Sequence, residues 1–174
     1  REDAIKVTIT DSANAKKGQE NLHWIEVQYY DNTGASEIGF SINPLESELS
    51  KSGWLGTFFN NNNLQGNPVA AIGGTGAKSK YAKLNFNWGT GTPNSKVSKD
   101  NFSARFSKLV EGGKDYFIQT FGDDGIRVKV GGKAYIERWA SSKGAYNKAL
   151  VTDLAQGDHR VDAEYFEKTG NAVF

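Results

Sequence analysis

The chain has 174 residues, of which 37 % are apolar and 24 % charged, enough to bury a core as one large domain or two small ones. Lys and Arg number 21 against 20 Asp and Glu, so net charge gives no pull toward nucleic acid or anionic lipid. The absence of cysteine excludes disulfides and thiolate metal sites, and His23 and His159 alone make a zinc cluster a poor reading. No apolar run reaches membrane-spanning length, so no membrane insertion is expected, and no secretory leader is visible. A start at Arg1 and the lack of any methionine suggest a piece of a larger polypeptide.

Charge is uneven along the chain. Residues 1–50 hold four basic and nine acidic side chains, which leaves a balance of +6 for the rest and marks a boundary near residue 50. Lys6 to Thr10 alternates apolar and polar residues, and Trp24 to Tyr30 is rich in aromatic and β-branched types, so residues 1–45 are expected to be a β-rich extension or small module packed on the main body. Asn43 can cap a helix, Pro44 suits its first position, Glu46 sits three residues after the cap and Gly53 can stop it, which predicts a short helical connector over 43–52, with residues 46–52 linking the two parts.

From residue 53 to 174 strand signals follow one another. Leu84, Phe86 and Trp88 alternate with polar residues, as do Phe102, Ala104 and Phe106, and then Val161, Ala163 and Tyr165. Tyr116 to Phe121 is apolar in part on both faces and reads as a central strand. Gly131-Gly132 between Ile126–Val130 and Lys133–Glu137 predicts a two-residue hairpin, because both glycines accept positive φ. Asn60 to Asn63 and Gly73 to Gly76 read as surface loops. The pattern is that of an all-β antiparallel sandwich with Leu84, Phe86, Phe102, Phe106, Ile118, Val128, Ile136, Val161 and Tyr165 facing inward.

Five ordered blocks carry a family likeness: Gly53-Trp54-Leu55-Gly56-Thr57-Phe58-Phe59-Asn60 with Leu64-Gln65-Gly66-Asn67-Pro68; Asn85 to Pro93; Asp100 to Phe106; Tyr116 to Val128 with its Gly122-Asp123-Asp124-Gly125 centre, extending to Trp139; and Gly157 to Glu167. In these the chain resembles the PA14 domain, named after anthrax protective antigen. The resemblance implies a β-sandwich of the kind found in bacterial toxins, glycosidases, adhesins and fungal lectins, often as a carbohydrate-binding part. It further implies a calcium ion at Asp123 and Asp124, joined by a cis peptide and bridging to sugar hydroxyls, with the loop from Glu167 to Asn171 completing the site. Residues 24–40 are faintly similar to a bacterial Src-homology-three-like cell-wall module.

The chemistry of the residues agrees, since calcium takes several oxygen ligands and two adjacent carboxylates can supply them where their side chains converge. Asp-Asp-Gly is equally a good turn sequence, with Asp bonding to backbone amides and Gly taking positive φ. For sugar stacking the candidate is Tyr146, in a polar loop, while Trp54, Trp88 and Trp139 are expected in the core. Arg127 and Glu167 could simply pair with charges on neighbouring strands, and His23 beside Trp24 is expected to be an ordinary strand-edge residue.

These readings lead to a calcium-dependent module for a glycan or cell-wall polysaccharide, extracellular or on a cell surface, or alternatively to a ligand-free structural or protein-interaction domain. Catalysis is not expected. Two histidines and no nucleophile elbow leave little for a triad, and nothing marks a glycosidase pair of carboxylates.

Overall fold

The computed structural model describes residues 48–74, 81–141 and 143–174. The expected module at 1–45, with His23, lies outside the described residues, as does the first part of the connector. Among these residues ten strands follow in chain order: β1 Leu55–Phe59, β2 Ala70–Gly73, β3 Asn87–Gly89, β4 Phe102–Glu111, β5 Tyr116–Gly122, β6 Gly125–Val130, β7 Lys133–Arg138, β8 Ala145–Val151, β9 Asp158–Glu167 and β10 Ala172–Val173. All pairings are antiparallel, in a six-stranded sheet of order β2-β1-β4-β9-β6-β7 and two two-stranded sheets, β5-β8 and β10-β3.

The long pair β4 and β9 forms the middle of the large sheet, in register from Phe102 opposite Glu167 to Glu111 opposite Asp158. Period-two alternation decides which side each residue covers. Phe102, Ala104 and Phe106 of β4, Ile126, Val128 and Val130 of β6, and Val161, Ala163 and Tyr165 of β9 turn inward and are buried. Phe86, Trp88 and Phe174 close over them from the opposite layer: Phe86 stacks on Phe106 at 5.2 Å between ring centroids and on Trp88 at 5.0 Å. Gly56 is a close-approach position, because a Cβ there would lie 2.8 Å from the Phe106 ring. Every residue expected to face inward belongs to this core or packs against it.

The hairpin at Gly131-Gly132 forms with both glycines at positive φ, 56° and 83°, as their order in the sequence requires. Three expectations change. At 48–52 only Glu48 is helical, as a 3-10 position, and coil and bends follow. The physical reason is that Ser50 turns its backbone to the sheet: its carbonyl accepts from Leu109 N at 2.9 Å, while its hydroxyl accepts from Gly53 N at 3.2 Å. The strand read around Leu84 to Trp88 is short, Asn87–Gly89, and Phe86 instead exchanges two backbone bonds with Phe174 at 2.6 and 2.9 Å. Strand β5 is not central. Among the described residues it pairs only with β8, and its Phe117 stands 65 % exposed, so one of its faces meets solvent while Tyr116 and Ile118 pack on the core.

On the opposite side of the large sheet a polar ladder crosses five strands. Thr57, Arg105, Glu164, Arg127 and Glu137 are neighbours in register. Glu164 is buried between Arg105, whose Nε donates at 2.8 Å, and Arg127, whose Nε donates to its other oxygen. Burial pushes the Glu164 carboxyl up, but the two guanidinium groups outweigh it and hold it below the usual carboxylate range.

Candidate metal and ligand site

Strand β5 ends at Gly122 and β6 begins at Gly125, so Asp123 and Asp124 form the whole connection between the two layers, and the peptide bond joining them is cis. Neighbouring elements fix this link residue by residue. Arg138 of β7 donates to the Gly122 carbonyl at 2.7 Å, Asp123 N donates to Val173 O of β10 at 3.1 Å, and the Tyr165 hydroxyl of β9 donates to the Asp123 carbonyl. Gly125 lies under the Phe166 ring, which a Cβ would meet at 2.0 Å, so a side chain there would have to displace the ring.

The Asp124 carboxylate is buried and accepts two bonds, from the Ser141 hydroxyl at 2.7 Å and from the Lys168 backbone amide at 2.8 Å. It therefore ties the turn to the loop after β9. That loop is the expected second loop, and Val173 beyond it pairs with Asp123, which sets Asn171, exposed and two residues from Val173, at the same end of the fold.

Glu167 is the most informative residue. It is 1 % exposed, and its Oε2 lies 2.8 Å from the Tyr165 hydroxyl, which has one proton for two acceptors. Its Oε1 is buried with no hydrogen-bond partner. Burial pushes the carboxyl up, the Tyr165 hydroxyl pulls it back, and the charges of Asp124, Asp123 and Asp100 push it up again, to about 7. A buried carboxylate oxygen without a donor, on which the charges of three further carboxylates act, is an excess of negative charge. Such a set suits a hard divalent cation such as calcium. Among the described residues no three acidic or imidazole side chains form a ready-made cluster, so the acidic groups are neighbours rather than a closed cage.

Tyr146, the stacking candidate, is 73 % exposed and its ring lies 4.8 Å from that of Phe121, one residue before Gly122. Trp54 and Trp88 pack on the core as expected. Trp139 does not. Its ring lies tilted against that of Phe166 at 4.9 Å between centroids and 4.5 Å from the Arg127 guanidinium, on the charged side of the large sheet, because Phe166 alternates out of the core after Tyr165. Arg127 pairs across strands with Glu164 and Glu137, the structural role weighed for it. Sequence reasoning missed Ser141 and Tyr165 as supports of the aspartates. Tyr165 was legible only as a core residue, and its hydroxyl gives no sign of its partners in the chain order.

The sequence profile of the PA14 domain matches residues 50–173. The chain belongs to the PA14 domain family. PA14 domains are a carbohydrate-binding type of domain. Among curated proteins, the anti-sigma-I factor RsgI3 of Acetivibrio thermocellus is 30 % identical over 86 residues, 48 % of this chain and 13 % of that protein. A solved anti-sigma factor domain-containing protein superposes with a TM-score of 0.58 at 25 % identity, over 70 % of this chain and 41 % of that one. The PA14 domain of the MpAFP antifreeze protein shares the fold, with a TM-score of 0.52 at 12 % identity over 84 % and 85 % of the two chains. This PA14 chain thus spans well under half the length of the anti-sigma relatives it matches.

Proposed function

We propose that this PA14 domain is a calcium-dependent carbohydrate-binding module of a secreted or cell-surface bacterial protein, with Asp123 and Asp124 as metal ligands and Glu167 or Asn171 assisting. The observation that carries the calcium part is the buried Oε1 of Glu167, which has no donor and lies among like charges. A bound cation would supply the missing partner and draw the sugar hydroxyls to the same end of the fold, where Tyr146 offers a ring to their C–H faces. The likeness to anti-sigma factors supports placing the module in a larger polypeptide in which glycan recognition outside the cell is the input to a regulatory step. Its role is binding, not catalysis.

The test is thermal melting with calcium and with chelator, followed by retention on a panel of immobilised polysaccharides under both conditions. An ion bound only to the folded state raises the melting temperature as its concentration exceeds the dissociation constant. The reading predicts such a rise, and retention that chelator abolishes. Superimposable melts, with no calcium taken up at equilibrium, would overturn the metal. Absence of retention on every polysaccharide would overturn the glycan.

A ligand-free structural or interaction domain is the second reading. It is favoured by Asp124, whose two oxygens already accept from Ser141 and Lys168, as a turn-forming aspartate would.

A further inference from the structure

Among the described residues the three large apolar side chains that stand in solvent, Phe117, Tyr146 and Leu150, all lie on one face of the β5-β8 sheet. Phe117 is opposite Leu150, Gln119 opposite Lys148, and Phe121 opposite Tyr146, so the face reads as an apolar pair, a polar pair and an aromatic pair in file. The inward face of the same strands, Tyr116, Ile118, Ala149 and Val151, packs on the core, which makes the outward one a separate surface. Its aromatic end adjoins the candidate metal site: Phe121 precedes Gly122 and Asp123 directly, and Ser141 of the connection to β8 holds Asp124. Phe117 and Phe121 are about 14 Å apart along the strand at ~3.4 Å per residue, longer than one sugar ring.

We propose that this face binds an extended polysaccharide chain, which runs from Tyr146 beside Asp123 to Phe117 and Leu150, so that the domain recognises a polymer rather than a terminal sugar. The inference rests on the carbohydrate reading above. A glycan fits the order of residues. Sugar C–H faces lie against rings, and hydroxyls take the amide of Gln119 and the ammonium of Lys148 between them. A protein partner would require the reverse arrangement, an apolar centre with charge at the rim, since charged residues are depleted from the core of interfaces. Here the lysine is in the middle of the file.

The experiment uses the full chain on cellulose, xylan and peptidoglycan, then oligosaccharides of increasing length cut from whichever retains it, with Phe117→Ala and Tyr146→Ala beside the native protein. Affinity is expected to climb with length. Loss of one ring should lower affinity for the longest oligosaccharide about three- to tenfold. Phe117→Ala should leave binding of the shortest unchanged, whereas Tyr146→Ala should weaken both. Affinity independent of length, or Phe117→Ala binding like the native chain while chelator still abolishes retention, would overturn the polymer proposal alone. No retention on any of the three polymers would overturn it together with the carbohydrate reading. A native dimer that Phe117→Ala converts to monomer would assign the face to a second copy and overturn the proposal. So would a melting temperature several degrees lower in Phe117→Ala, which would mean that the protein's own chain covers the ring.

Discussion

The carboxylate of Asp124 and the backbone amide of Lys168 meet at 2.8 Å across 44 residues of sequence. Through this contact the loop after β9 is held against the turn between β5 and β6. A charge-assisted bond of this kind is stronger than a neutral one, and a second bond from Ser141 shares the same carboxylate.

Asp124→Ala is therefore expected to destabilise the protein even without calcium, by about 1.5–3 kcal/mol for the charged hydrogen bonds it removes. Urea denaturation in chelator measures this. Asp124→Asn keeps one acceptor oxygen and should lose less stability, while its melt should no longer respond to calcium. A native-like calcium response in Asp124→Asn would count against this residue as a ligand.

Glu167 gives a pH dependence whose sign can be worked out. Its carboxyl titrates near 7 when folded and in the ordinary range, 4.5, when unfolded, so the folded state holds its proton more tightly. Its contribution is full below 4.5 and is lost as pH rises through 7, on the order of 3 kcal/mol by linkage. In calcium-free buffer Glu167→Gln should flatten the dependence of stability on pH across that window. A profile of the same slope in the variant would show that another group sets it.

Glu164 should behave in the opposite sense. Its carboxyl is held low by Arg127 and Arg105 against the penalty of burial, so its stabilisation is present above the ordinary carboxylate range and is lost as pH falls through its folded value. Glu164→Gln leaves two arginines, each still in part exposed, and should cost about 1–3 kcal/mol in chemical denaturation at neutral pH.

Gly125 and Phe166 form a cross-strand pair in which the ring lies over the glycine. Gly125→Ala should destabilise by about 1–3 kcal/mol through overpacking. Combining it with Phe166→Ala should recover part of that cost, which a double-mutant cycle reads directly. Additive losses would mean that the backbone at Gly125, not the ring, sets the requirement.

The strands were legible where alternation ran long, as in Phe102 to Phe106 and Val161 to Tyr165, because one face must be buried and the other wetted. Strand β5 misled for a definite reason. Phe117 and Phe121 add apolar residues to its outward face, which in a sequence is indistinguishable from burial on both sides. The aspartate pair was legible by its likeness to a family. What holds it was not, because Ser141 reaches it across the β6-β7 hairpin, and Tyr165 and Lys168 only after β9 has been laid between β4 and β6.

That placement of β9 also constrains how the chain can reach its native state. The hairpin of β6 and β7 joins near neighbours and can form early, but β4 must pair with a strand whose residues lie 47 to 65 positions further along, from Glu111 with Asp158 to Phe102 with Glu167. Closing so long a loop costs entropy before any contact repays it, and topologies of this kind assemble slowly. During synthesis the central sheet cannot close until β9 has left the ribosome. Until then β4 and β6 are two unpaired edges with apolar faces, which makes the nascent chain, rather than the finished domain, the stage most exposed to aggregation.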